Sequence, residues 1–164
     1  SEMCIRDSLK GRGVDFRIEI AGRGGARGKL EKFRNENGLT DRVRFTGELS
    51  QPELASLLRC SDVYVSASLS DSTSVSLLEA MACGVFPVVT DIAGNRQWVE
   101  NRRNGLTFPA GDFYRLAECL AQAGENRDLR LKARETNVEL IRRKAFWEDN
   151  MRRVEEKFLE LAGV

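Results

Sequence analysis

The chain has 164 residues, with 26 Lys+Arg, 25 Asp+Glu, a formal net charge of +1 and no histidine. That length suits one domain with a real core, and 41% hydrophobic residues is ordinary for a globular chain. The balanced charge argues against a nucleic-acid partner. The missing histidine removes Ser-His-Asp triads, His-based zinc sites and imidazole acid–base chemistry, so carboxylates, hydroxyls, backbone N–H groups and Lys/Arg must carry any reaction.

In chain order, residues 1–8 read as a cloning- or adapter-derived scar, because no pattern joins Met3-Cys4-Ile5-Arg6-Asp7-Ser8 to Leu9-Lys10-Gly11. Residues 9–164 are then the domain. Phe16 to Ala21 alternates and ends in a glycine cluster, which predicts a strand entering a loop. Lys29 to Asn37 predicts a short helix stopped by Gly38. Val43 to Thr46 predicts a second strand, ended by Gly47. Ser50-Gln-Pro-Glu53 is a capping box opening a helix with Leu54, Leu57 and Leu58 on one face. Val63 to Val65 predicts a third strand. Leu77 to Cys83 follows as a helix stopped by Gly84, then strands at Pro87 to Thr90 and Leu106 to Phe108. Asp112 to Gly124 is helical, with Leu116 and Leu120 four residues apart. Two further helices cover about Arg127 to Lys144 and Phe146 to Leu161.

Strands alternating with helices at this spacing predict an α/β fold, a Rossmann-like parallel sheet with helices on both faces. Such sheets bind ligands beyond the carboxyl ends of their strands. The candidate site is therefore the loops at 22–28, 47–50, 66–75 and 91–95. Serine occupies every even position from Ser66 to Ser76. Without Gly or Pro, and flanked by a strand and a helix, that stretch reads as a functional loop rather than a linker.

Cys4, Cys60, Cys83 and Cys119 form no C-x-x-C pair, so no zinc or redox motif is visible. Cys60, Cys83 and Cys119 lie among apolar neighbours and are expected to be buried and reduced, which suggests a cytoplasmic setting. No apolar run approaches the roughly 20 residues of a membrane span. Arg102-Arg103 and Arg142-Arg143-Lys144 are expected to be solvated surface, and Trp98 and Trp147 core or interface aromatics.

The chemistry concentrates at Asp71-Ser72-Thr73-Ser74-Val75-Ser76-Leu77-Leu78-Glu79. N–H groups and hydroxyls gather where a helix begins, which suits an anion such as phosphate. Two carboxylates eight positions apart flank that point, and carboxylates accept hydrogen bonds from sugar hydroxyls. Together they suit a nucleotide sugar. On spacing alone, a turn Asp and a solvated helix Glu explain the same residues.

From Glu79 the sequence continues Ala80-Met81-Ala82-Cys83-Gly84-Val85-Phe86-Pro87-Val88-Val89. This segment resembles the C-terminal, nucleotide-sugar-binding domain of GT-B fold retaining glycosyltransferases, specifically glycosyltransferase family 4. The similarity extends to Gly22-x-Gly24, Val43-Arg-Phe-Thr-Gly47, Ser61-Asp-Val-Tyr-Val65, Gly94-Asn-Arg-Gln-Trp-Val99 and Asn104-Gly-Leu106, and covers about residues 9–161. The chain departs from the family at Asp71, where the family has Glu, and at Ser72-Thr73-Ser74, where it has Gly-Phe-Gly.

The resemblance implies that Asp71 contacts the donor sugar, Glu79 the ribose, Val75 and Ser76 N–H groups the diphosphate, and Leu49 the base. The implied donor-binding set is Gly22, Gly24, Leu49, Ser72, Thr73, Ser74, Val75, Ser76 and Glu79, with Asp71 and Glu79 as the catalytic carboxylates. It also implies a UDP- or GDP-linked sugar as substrate, no metal and no other cofactor, and a role in polysaccharide or glycoconjugate synthesis. The family's diphosphate-binding Arg and Lys and its N-terminal acceptor domain precede the matching segment, so this chain is expected to be truncated at its N-terminus and inactive alone. Peripheral contact with the inner face of the membrane, and a homodimer through the last helix, are further expectations. Three other readings stay open. Gly22-Arg-Gly24-Gly25-Ala-Arg-Gly28 could be the dinucleotide loop of an NADP-type oxidoreductase. Asp71 and Glu79 could be a glycoside hydrolase pair. The chain could also be a non-catalytic nucleotide-binding module.

Overall fold

The computed structural model describes residues 15–162. The scar assigned to 1–8, and Cys4 with it, lie outside these residues. The elements are β1 (Ile18–Ala21), α1 (Arg27–Glu36), β2 (Val43–Gly47), α2 (Gln51–Arg59), β3 (Val63–Ser66), α3 (Val75–Ala82), β4 (Phe86–Thr90), α4 (Ala93–Arg96), β5 (Leu106–Phe108), α5 (Phe113–Glu125), α6 (Arg127–Lys144) and α7 (Trp147–Ala162). Every strand and helix expected from the sequence is present, with ends moved by one or two residues. The short α4 is additional.

All strand pairs are parallel, as the alternating order requires. Among the described residues they pair as β1–β2 and as β3–β4–β5. None of the three buried hydrophobic clusters includes a residue of β1, α1 or β2. All four residues of β1 are exposed, and α1 buries none of its residues. Within this segment, Arg44 pairs with Glu19 across the strands at 2.6 Å, and the Arg27 and Arg34 guanidiniums lie over the Phe45 ring at 6.0 and 5.5 Å.

The strands β3–β4–β5 carry the core. β4 is buried along its whole length, as a central parallel strand covered on both faces must be. Side chains alternate across a strand. Phe86 and Val88 pack with Leu106, Phe108, Leu116 and Cys119, toward α5. Val89 packs with Leu77 and Met81 of α3, Val99 and Ile141 of α6. Trp98 lies against this second cluster, partly buried, as expected of a core aromatic. Leu58, Ala80 and Val85 form a third cluster that joins α2 to α3.

Local sequence fixes the helix ends. Glu53 reaches back to the Ser50 N–H at 2.7 Å and accepts the Ser50 hydroxyl at 2.6 Å, the reciprocal half of the expected capping box. These hydrogen bonds from Ser50 hold the Glu53 carboxyl below its ordinary range. Asp112 and Asn126 accept from the Arg115 and Leu129 N–H groups to start α5 and α6. Gly84, at φ 77°, ends α3 in the left-handed turn that glycine makes at no steric cost.

The cysteines divide by depth. Cys119 is buried as expected, Cys83 is only half-buried, and Cys60 is exposed, because it is the C-terminal cap of α2 and not part of its apolar face. Burial raises the Cys119 thiol above its ordinary range, which depletes the reactive thiolate. Among the cysteines of the described residues, native protein treated with a thiol-reactive dye at pH 8 is therefore expected to label first at Cys60 and last at Cys119, as read by peptide mass spectrometry. Equal labelling rates would contradict this placement.

Candidate functional site

The carboxyl end of β3 opens into the serine-rich stretch, and the chain runs without regular structure from 67 to Ser74, the N-cap of α3. The Ser74 hydroxyl accepts the Leu77 N–H at 3.4 Å. The first N–H groups of a helix have no intrahelical acceptor, and those of Val75 and Ser76 belong to this first turn. Val75 is 67% exposed, so this end of α3 is open to a ligand. The helix dipole adds partial positive charge there, which favours an anion.

The neighbouring hydroxyls are drawn into the loop itself. Ser76 Oγ lies 2.7 Å from Tyr64 OH and 3.1 Å from Ser74 Oγ, a chain that ties α3 to β3. The Thr73 hydroxyl donates to the Ser72 carbonyl at 2.8 Å, and Ser66 Oγ lies 3.2 Å from Ser68 Oγ. The serines thus shape the turn and leave the backbone N–H groups as the principal donors. Asp71 is half-buried on the loop, and Glu79 is half-buried one turn into α3.

The post-β2 loop comes to the same place. Gln51 Nε2 donates to Glu79 Oε1 at 3.1 Å, linking the start of α2 to the middle of α3. Leu49, two residues before Gln51, is half-buried and lines a groove of about 750 Å³ with Phe45, Pro52 and Leu57. The post-β1 loop meets the post-β2 loop rather than α3. The Gly22 N–H donates to the Gly47 carbonyl at 2.7 Å, and Arg23 pairs with Glu48 at 2.7 Å. Gly22 and Gly24 are both exposed. With its N–H spent on Gly47, Gly22 offers no backbone donor to a ligand. No cluster of His, Cys, Asp and Glu able to hold a metal is found among the described residues.

The family model of glycosyl transferases group 1 matches residues 4–126. The chain belongs to this family. A group 1 glycosyl transferase chain of this kind is similar to the phosphatidyl-myo-inositol mannosyltransferase of Mycobacterium leprae, at 31% identity over 131 residues, 79% of this chain and 34% of that protein. It is also similar in structure to Staphylococcus aureus TarM, solved with UDP among its ligands, at a TM-score of 0.82 and 23% identity, covering 97% of this chain and 31% of that one. The solved C-terminal domain of a glycosyl transferase group 1 family protein (LpcC) from Francisella tularensis gives a TM-score of 0.68 at 17% identity, covering 86% of this chain and 92% of that one. The two structural likenesses show a shared Rossmann-like fold. The chain spans about a third of the length of curated relatives such as this mannosyltransferase.

In the glycosyl transferase chain, Asp71 and the Ser72–Ser74 turn lead directly into α3, which carries Glu79, and Gln51 links Glu79 to the loop of Leu49. The fold leaves Gly22 and Gly24 on a neighbouring loop. Sequence reasoning missed Gln51 and Tyr64. Gln51 carried a signal, since it follows the capping-box serine on a loop beyond a strand end. Tyr64 carried none, because its partner Ser76 is twelve residues away and across an element boundary. No helix among the described residues is long and apolar enough to cross a membrane.

Proposed function

We propose that this chain is the donor-binding domain of a retaining hexosyltransferase, holding a nucleoside diphosphate sugar at the start of α3. One observation carries the reading: an exposed helix N-terminus at a strand's carboxyl end, flanked on one loop-to-helix turn by Asp71 and Glu79. The Val75 and Ser76 N–H groups take the diphosphate, where dipole and donors act together. Glu79, oriented by Gln51, accepts from the ribose hydroxyls. Asp71 accepts from the sugar, and Leu49 borders the base.

In transfer, the bond from the sugar's anomeric carbon to the diphosphate breaks and negative charge builds on the leaving diphosphate. N–H groups already aimed at that charge stabilise it without reorganising. The family resemblance adds retention of anomeric configuration through an oxocarbenium-like state, with no metal, and places the product in polysaccharide or glycoconjugate synthesis. Acceptor recognition falls to another domain of the full enzyme, and this chain by itself binds donor without transferring it.

Calorimetry with UDP, GDP and ADP tests the reading. At least one is expected to bind, and Glu79→Ala is expected to weaken it by about tenfold to a hundredfold, the loss of hydrogen bonds to a charged acceptor. No binding of any of the three by folded protein, or binding indifferent to Glu79→Ala, would overturn the assignment. Radiolabelled sugar is expected to remain on the nucleotide when the chain is incubated alone with donor.

A further inference from the structure

The turn that carries Asp71 is braced from beneath by a separate corner of the fold, where β4 ends and α4 begins. Thr90, the last residue of β4, is fully buried, and its hydroxyl donates to the Ser68 carbonyl at 2.6 Å. Asn95 is 2% exposed, and its side-chain amide donates to the Thr90 carbonyl at 2.9 Å and lies 3.4 Å from the Thr90 hydroxyl. Between them, Gly94 is pressed against the same loop. A Cβ on Gly94 would lie 2.3 Å from the Asp71 carbonyl oxygen and 2.7 Å from that of Ser72. Those neighbours are backbone atoms, so the loop itself would have to move.

Thr90 therefore holds Ser68 by a hydrogen bond, and Gly94 sets how closely Asp71 and Ser72 approach the sheet. The corner is itself fixed. Asp91 N–H donates to the Phe108 carbonyl at 2.7 Å, and Arg96 grips the Asp91 carboxylate at 2.7 and 3.1 Å. That grip keeps the Asp91 carboxyl below its ordinary range. From Ser68 to Ser74 is only six residues, so pinning 68 and 71–72 leaves little freedom in where the Asp71 side chain and the α3 N-terminus stand.

We propose that Thr90 and Gly94 are positioning residues for the donor site, fixing the 68–72 backbone that presents Asp71 and the start of α3 to the nucleotide sugar. The proposal rests on the nucleotide reading of that site. Neither residue touches the ligand; both act through the loop. A Thr90 hydroxyl that served only packing would be replaceable by a methyl group of the same shape.

The test uses Thr90→Val, which keeps the shape and removes the donor, Thr90→Ser, which restores the donor, and Gly94→Ala. Amide NMR shifts of residues 66–76 are recorded without nucleotide, and calorimetry gives the affinity for whichever of UDP, GDP and ADP the native protein binds most tightly. Thr90→Val is expected to move those amides and to weaken that nucleotide by about tenfold, the upper end for one hydrogen bond. Thr90→Ser is expected to bind it as the native protein does, and Gly94→Ala to behave as Thr90→Val. Folded Thr90→Val or Gly94→Ala with unmoved 66–76 amides overturns the positioning, as does moved amides with native affinity. Should Thr90→Val fail to fold, Gly94→Ala decides by the same criteria. Native protein that binds none of UDP, GDP and ADP overturns the nucleotide reading instead, and the amide shifts still decide whether Thr90 and Gly94 hold the loop.

Discussion

Phe86→Ala is expected to lower the unfolding free energy by about 3–5 kcal/mol, the range for truncating a buried Phe to Ala. Phe86 is 1% exposed at the start of the fully buried strand β4. It packs in the cluster that joins β4, β5 and α5, with Val88, Leu106, Phe108 and Leu116. Those neighbours come from a central strand and its cover, so they collapse little into the space left, and the cavity term adds to the transfer term. Domains are stable by only about 5–15 kcal/mol, so the loss is a large share of the total. Urea denaturation is expected to show a lower midpoint with an unchanged slope. A loss below about 1 kcal/mol would mean that this cluster is not a packed core.

The second large effect is pH-dependent. Asn137 of α6 is fully buried, and Asn104, in the segment between β4 and β5, is 3% exposed. Their amides exchange hydrogen bonds: Asn104 Nδ2 donates to Asn137 Oδ1 at 2.9 Å, and Asn137 Nδ2 donates to the Asn104 carbonyl at 2.9 Å. Asn104 also donates to the Trp98 carbonyl at 2.9 Å and accepts the Glu100 N–H at 2.7 Å. In Asn137→Asp the introduced carboxyl keeps the acceptor, but its second oxygen replaces the donor that faced the Asn104 carbonyl. Protonated, that oxygen can still donate; ionised, it is a buried charge against a carbonyl.

Burial and the carbonyl both raise the folded-state pKa of the new group above its unfolded value of about 3.9. The sign follows. Below the unfolded pKa both states are protonated and the variant loses little. As pH rises between the two pKa values the folded state binds more protons than the unfolded state, so stability falls, and it levels off above the folded pKa. Relative to native protein, Asn137→Asp is expected to lose about 3–5 kcal/mol at pH 7, the cost of an uncompensated buried charge, and about 1 kcal/mol or less near pH 4. Denaturation of both proteins at the two pH values measures this. An equal loss at pH 4 and pH 7 would show that the carboxyl is not buried in the folded state.

Thr90 and Gly94 show how the site depends on parts of the chain that carry none of its chemistry. The carboxylates and helix start are contiguous in sequence, from Asp71 to Glu79, and were legible there. What holds them is not contiguous. Ser68 is gripped by Thr90, 22 residues away, and Glu79 by Gln51, 28 residues away. The 91–95 loop and the similarity at Gly94–Val99 mark that segment in the sequence, but the close approach of Gly94 to the Asp71 and Ser72 backbone has no local signal.

Elements and site therefore separate by the range of the forces that set them. Capping residues, glycine stops and apolar alternation act within one or two turns, so Ser50–Glu53, Gly84 and the buried run of β4 could be read directly, and with them the α/β class and the Asp71–Glu79 turn. The exposure of Cys60, the Tyr64–Ser76 and Gln51–Glu79 contacts and the bracing by Thr90 and Gly94 were decided only in three dimensions. Each depends on which distant segments pack together. Packing is settled by the burial of whole faces, and no single stretch of sequence encodes the other side of its own interface.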